Sequence, residues 1–385
     1  MNSGEPGGAG ARPVLRTMES GNDLLRLHLV PGMTPRAGAA LLSRFGDAAA
    51  ALRAPVEEAA SQPGVGAELA ARLASAPDDG EVRAARRSAE RAGIRILALG
   101  DPLYPPRITE LPDPPLVLYA RGRPAPDDDA VAVVGARRAS VYGRAVAERF
   151  GRGLARAGLT VVSGLARGVD AVAHQAALDA GGRTVAVLGS GLDRIYPPEH
   201  RKLAREIEKT GALYSELAPG TPPLAHHFPM RNRIIAALGR AAVVVEARPR
   251  SGSLITARLS AELGRQVFAV PGSVDSELSR GPHALLRDGA VLAEGPEQVL
   301  LDLGYRDLAA EPEVPLPEDP LQRRILETLS ATEAAGADDL LARLVVPAPA
   351  LFAALLALEL GGRIRSLPGH RWVRAPAGGG TGGEE

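Results

Sequence analysis

The densest set of chemistry-bearing side chains in this 385-residue sequence runs from His226 to Ile235, HHFPMRNRII, with two histidines, a phenylalanine, two arginines and an asparagine within eight residues. Guanidinium groups pair with phosphates, and a flat aromatic face accepts a stacked base. A cationic track plus a stacking platform holds a single-stranded polynucleotide without reading its sequence. His227, Phe228, Arg231, Asn232 and Arg233 are therefore candidate contacts. The competing reading makes Phe228 core and pairs Arg231 and Arg233 with acids such as Glu216 and Glu246.

Four further stretches carry small or polar residues: Gly135-Ala136-Arg137-Arg138, Ser163-Gly164-Leu165-Ala166-Arg167-Gly168, Gly189-Ser190-Gly191 and Ser251-Gly252-Ser253. Each precedes, or nearly precedes, a helix start. Glycine lets an anion approach the backbone, and amides at a helix N-terminus donate to it along with serine hydroxyls. A single Gly-rich turn means little, but four, three with serine and two with arginine, point to an anion. Several anion chemistries are excluded. Neither of the two lysines, Lys202 and Lys209, follows a glycine, so there is no P-loop. VVGARR places arginine where a dinucleotide fingerprint needs its second glycine. Asp170 and His174 are four residues apart on a helix with no third ligand, so they are read as shaping a loop rather than holding zinc. No GxSxG elbow and no cysteine is present, so neither a nucleophile elbow nor thiol chemistry is expected. No cofactor is expected.

These turns need a frame, and apolar runs supply it. VAVVG (131–135), LTVVSG (159–164), TVAVLGSG (184–191), ALYSE (212–216), AAVVVEA (241–247) and QVFAVPG (266–272) alternate with helical stretches. Continuous apolar strands are those buried on both faces of a parallel sheet. With right-handed crossovers the expectation is a doubly wound, Rossmann-like α/β sheet whose ligand lies beyond the carboxyl ends of its strands. Residues 20–94 read as a helical domain with two Pro-Gly turns, VPGMTPRAG and QPGVGAEL, resembling helix-hairpin-helix units. The Pro-rich stretch 101–129 is expected to run extended. The sheet domain is assigned to 95–303, an acidic Pro-rich linker to 304–319, and three helices with a hairpin, the pattern of a winged helix, to 320–375. The third of these helices, Ala348 to Leu360, is apolar except for Glu359 and is unsuited to reading base edges, so a protein-interaction role is favoured for it. Residues 1–19 and 376–385 are expected to be disordered.

The chain is 45% hydrophobic, with no basic-then-apolar leader and no apolar run of spanning length, so it is expected to be cytoplasmic with no membrane partner. Formal net charge is zero, yet residues 131–300 carry 22 Lys+Arg against 15 Asp+Glu, a surplus of seven positive charges in the sheet region.

The stretches VVGARRASVYG, VVSGLARGVDAVAH, VLGSGLDRIYP, FPMRNRIIAAL and VVVEARPRSGSLITA, in this order, closely resemble the DNA processing protein A family (DprA, also called Smf). The resemblance covers about Pro102 to Leu300. It implies an extended Rossmann domain, flanked by an optional helical domain and a winged helix. It also implies a homodimeric, non-enzymatic recombination mediator that binds single-stranded DNA, protects incoming strands as in natural transformation, and helps load the RecA recombinase. Arg137, Arg194, Phe228 and Arg231 fall on the family's DNA-holding positions. The lysine usual before that phenylalanine is replaced by histidine in LAHHF, and neutral imidazole brings no phosphate charge at pH 7. An alternative is a nucleotide-processing enzyme of the lysine-decarboxylase-like (LOG) group, whose glutamate-bearing motif corresponds to RSGSLITARL, without glutamate. A third possibility is a pure scaffold.

Overall fold

A computed structural model describes residues 18–305 and 316–375. The expected disordered ends, apart from residues 18 and 19, and most of the expected linker lie outside the described residues. The chain divides into two compact units, up to Tyr119 and from Ala120 onward.

Among its described residues the first unit holds six α-helices: α1 (Met18–His28), α2 (Pro35–Phe45), α3 (Ala48–Leu52), α4 (Val56–Ala60), α5 (Gly66–Leu73) and α6 (Asp79–Arg91). Their apolar faces close on Leu24, Leu27, Leu41, Leu69 and Leu73. Local chemistry sets the helix starts. Thr34 caps α2 by accepting from the Ala37 amide, and Asp78 and Glu81 form a reciprocal capping box on α6. Strands β1 (Arg95–Ala98) and β2 (Val117–Gly122) follow, and the two units meet in sequence within β2. The Pro-rich stretch is not uniformly extended. It makes a 3-10 turn at Pro106–Glu110, and Tyr104 is buried with its hydroxyl donating to Pro115 O at 2.8 Å. Proline fixes φ but suits a first helical turn as well as a strand edge.

In the second unit strands and helices alternate: β3 (Ala130–Val134), α7 (Val141–Arg156), β4 (Thr160–Ser163), α8 (Val169–Asp179), β5 (Thr184–Val187), α9 (Arg201–Thr210), β6 (Ala212–Ser215), α10 (His227–Leu238), β7 (Ala241–Val244), α11 (Gly252–Glu262), β8 (Gln266–Ala269), α12 (Arg280–Arg287), β9 (Val291–Leu292) and α13 (Pro296–Asp302). The sheet runs β6-β5-β4-β3-β7-β8-β9, with every neighbouring pair parallel. The buried central strands pack Val131, Val133, Val161 and Val243 against Phe150, Leu154 and Phe268. The doubly wound architecture expected from the apolar runs is present. From β3 the chain winds outward to β6, then returns to place β7 on the other side of β3. The point where winding reverses therefore lies between β3 and β7, and loops leaving these two strands diverge to open a crevice.

The remaining described elements are α14 (Pro320–Thr328), β10 (Ala335–Gly336), α15 (Ala337–Leu344), α16 (Ala348–Leu360), β11 (Ile364–Leu367) and β12 (Arg371–Arg374). The three helices and hairpin are those expected. The two-residue β10, which pairs with β12, is an addition too short to be seen in sequence. Leu340, Leu351, Leu355 and Trp372 form the core of this part. Among the described residues no single helix is long and apolar enough to cross a membrane.

Candidate nucleic-acid interface

A cavity of about 890 Å³ opens at the β3/β7 switch point. Three pieces of chain supply most of its lining: Val134 to Arg138 after β3, residues of α10 from Phe228 to Ile235, and Arg248 to Thr256 at the start of α11. Each is fastened. The Glu246 carboxylate, at the end of the β7 run, accepts from the Ser140 amide at 2.9 Å and from the Ser140 hydroxyl, tying β7 to the start of α7. Ser140 Oγ in turn caps α7 by accepting from Gly143 N at 3.0 Å. Ser251 caps α11, and its hydroxyl shares a 2.8 Å hydrogen bond with that of Ser253.

Helix α10 is fixed by Arg231, which is 6% exposed. One guanidinium nitrogen donates to Gly164 O at 2.7 Å and also to Val187 O, bridging the ends of β4 and β5. Nε donates to Asn232 Oδ1 at 3.1 Å, and Asn232 Nδ2 donates to Gly252 O at 3.0 Å, extending the brace to α11. Burial lowers the Arg231 guanidinium to about 10, opposed by the charge of Asp170 and aided by that of Arg137, so it stays protonated at neutral pH. Asp170 is buried beside it and receives the amides of Gly164 at 3.1 Å and Ala166 at 3.4 Å. Burial raises its carboxyl, while Arg231 and the two amides pull the other way. Asp170 thus organises the β4 loop, as the sequence reading expects. His174, one turn on, is fully buried with Nδ1 2.6 Å from Thr184 Oγ1, and burial lowers it to about 3.

The rim is chemically different. Arg137 lies with Cζ 5.2 Å from the centroid of the Phe228 ring, a cation–π contact, and Tyr196 flanks the same ring with centroids 5.8 Å apart. Arg137, Arg138, Arg248 and Arg250 are all exposed and line the cavity. Among the described residues none of their side chains enters a hydrogen bond or ion pair. Among the described residues the one acid lining the cavity is Asp170, already engaged with Arg231. The cavity mouth therefore carries positive charge with no further lining acid among the described residues to offset it, beside an aromatic face, an arrangement chemically suited to a polyanion with stacking bases.

Of the residues expected from sequence, nine meet at this cavity: Gly135, Arg137, Arg138, Phe228, Arg231, Asn232, Ser251, Gly252 and Ser253. The others do not line it. Ser163 Oγ donates to Val133 O at 2.6 Å and Ser190 Oγ to Arg194 O at 2.8 Å, so these buried hydroxyls serve the fold rather than an anion. A Cβ at Gly164 would collide with Arg231, and one at Gly189 would sit 3.0 Å from the Phe228 ring. These glycines admit side chains, not phosphate. Likewise a Cβ on Gly191 would meet Ala218 O at 2.7 Å. Arg233 pairs with Glu216, the outcome foreseen in the competing reading, although Glu246 serves Ser140 instead. Arg167 pairs with Glu199, and Arg194 stands exposed 3.8 Å from Asp193. His227 is buried, and burial with His226 nearby lowers its pKa, so it is neutral at pH 7. Arg248, Arg250 and Tyr196 were not foreseen as site residues. The signal for the two arginines was the RPR stretch just before SGS, which gains meaning only once β7 is known to adjoin β3.

Comparison with known proteins agrees with this architecture. A family model described as DNA recombination-mediator protein A matches residues 95–304, and one described as DprA winged helix domain matches 309–370. Protein Smf of Escherichia coli K12 is 40% identical over 294 residues, covering 73% of this chain and 77% of that protein. A putative DNA processing protein DprA of Mycobacterium tuberculosis H37Rv is 44% identical over 276 residues, covering 69% of this chain and 70% of that protein. The X-ray structure of DNA processing protein A from Streptococcus pneumoniae superposes with a TM-score of 0.63 at 34% identity, covering 75% of this chain and 99% of that one. An extended parallel sheet with its crevice at the β3/β7 reversal, a winged helix after it, and two matching family models in that order place this chain in the DNA recombination-mediator protein A family.

Proposed function

We propose that this chain binds single-stranded DNA in the β3/β7 crevice and acts, as a homodimer, as the mediator that protects the strand and passes it to the RecA recombinase. The observation that carries the DNA-binding reading is the pair of exposed arginines, Arg137 and Arg138, beside the Phe228 ring at one cavity. Guanidinium groups take successive phosphates while the phenyl ring takes a base, a mode that tolerates any sequence and suits a protein handling arbitrary strands. Family membership and the matching winged helix support the mediator role.

The test is a titration of the unchanged protein and Arg137→Glu with labelled single- and double-stranded oligonucleotides across a salt series. Strong, salt-sensitive preference for the single strand is expected, with roughly 100-fold weaker binding in the variant, since reversal removes one phosphate contact and repels the strand. Indifference to the substitution removes the crevice as the binding site. RecA filament growth on single strands coated with a single-strand-binding protein, with and without this chain, tests the mediator step, and no acceleration would count against it.

A further inference from the structure

We propose that Arg248 and Arg250 form a second phosphate grip on the β7 side of the crevice, so that one strand is held from both banks of the switch point. This rests on the single-strand-binding reading above and assigns a role to residues it does not need. On the β3 side, Arg137 and Arg138 supply charge, with Phe228 as the platform. Strands β3 and β7 are direct parallel neighbours, with Val134 opposite Val244. The loops that leave them therefore face one cavity from its two sides, and both loops contribute exactly two lining arginines.

The loop after β7 is built to present those side chains. Its base is pinned by Ala247 N donating to Leu278 O at 2.8 Å, and it closes as a turn through Ser251 N donating to Arg248 O at 3.1 Å. Arg248, Pro249 and Arg250 are exposed, and among the described residues neither arginine side chain has a hydrogen-bonding or ionic partner. Arg250 has φ of 66°, a left-handed conformation in which glycine is the unstrained residue. A cation stands where backbone geometry favours glycine, so what it contributes is its side chain. The turn also delivers the chain into the capped N-terminus of α11, whose amide dipoles add to the positive potential beside the two guanidinium groups. A bound strand would have its base at Phe228 and neighbouring phosphates at the two arginine pairs.

The experiment measures oligothymidylate affinity against salt for the unchanged protein, Arg248→Ala/Arg250→Ala, and Arg137→Ala. Each phosphate contact contributes about 0.7 to the slope of log K against log salt for a single strand. The double variant is expected to lose about 1.4 from that slope and at least tenfold in affinity. If the unchanged protein binds and Arg137→Ala weakens it, but the double variant keeps the full slope, the second grip is wrong and the crevice reading stands. If the unchanged protein does not bind at low salt, the crevice reading itself fails. A second variant, Arg250→Gly, separates side chain from fold. It should unfold at a higher temperature, because the left-handed position is relieved, and yet bind more weakly. A stabilised Arg250→Gly protein with undiminished affinity would also overturn the proposal.

Discussion

The switch-point rim and helix α16 are two surfaces of kinds that carry nucleic acid in other proteins, and in this chain they have opposite chemistry. Among the described residues, the rim exposes four arginines with no hydrogen-bonding or ionic partner, one of them stacked on an aromatic ring. Helix α16 exposes Phe352, Leu356 and Leu360, and its single charge, Glu359, accepts from the backbone and hydroxyl of Ser366 in the hairpin. The Phe352 ring stands edge-on to Trp372, 6.1 Å away. A fold capable of entering a groove thus presents no donor or cation at the helix that would enter it. Side-chain chemistry, not fold, decides which surface takes DNA.

The same contrast operates a few ångströms beneath the rim. Arg231 has the residue type of its rim neighbours but is buried and bonded to two strand ends. Its removal should give the largest single effect in the molecule. Arg231→Ala leaves Asp170 buried without its counter-charge and unties the ends of β4 and β5, at a cost of about 3–5 kcal/mol in folding free energy. Urea unfolding checks this. A variant of unchanged stability with lost DNA affinity would move Arg231 from the brace to the grip.

Acid should act on the buried layer before it acts on the rim. His174 has a folded-state value of about 3 against an ordinary 6.5, so the unfolded chain binds the extra proton between those limits. Stability then falls as pH drops below 6.5 and levels off near 3, with a loss of about 2 kcal/mol by pH 5. His28, lowered by burial to about 4, acts with the same sign in the helical unit. Denaturant midpoints at pH 7 and pH 5 should differ less in His174→Leu than in the unchanged protein. Equal pH dependence in the two would remove His174 as the source.

The platform comes next in size. Phe228→Ala should lose roughly 1–3 kcal/mol of binding for the base it stacks, while Phe228→Trp should retain it. Quenching of 2-aminopurine within an oligonucleotide reports the stack directly. Loss of affinity with intact quenching would mean that Phe228 only positions Arg137.

What the sequence made legible follows from what is local in it. Val131 to Val134 and Ala241 to Val244 are continuous apolar runs, and continuity alone marks a strand buried on both faces. Phe228 and Arg137 were found because the first stands among cations and the second just past a strand. Strand order was not legible, since pairing of β3 with β7 joins residues more than a hundred positions apart. Without that order the four small-residue turns were equivalent, and Ser163 and Ser190 read as anion donors although their hydroxyls face neighbouring backbone carbonyls. Arg248 and Arg250 were passed over for the same reason. Strand β2 was hidden by the prolines around it, though Leu118 and Tyr119 are buried as deeply as the central strands.

The smallest expected effect tests the other half of the comparison. Leu356 is exposed on the apolar face of α16, so Leu356→Asp should change folding stability by less than about 0.5 kcal/mol. It places a negative charge at the middle of the one helix a winged-helix protein would lay in a groove. If the rim alone grips the strand, oligonucleotide affinity should stay within about twofold and its salt slope should not move, because no phosphate contact is lost. If α16 touches DNA, a carboxylate at its centre repels the phosphates and affinity should drop tenfold or more. That drop, in a protein whose unfolding midpoint is unchanged, would show that an apolar helix without a single cation takes part in holding the strand, and the division between a charged rim and a helix reserved for protein contacts would have to be given up.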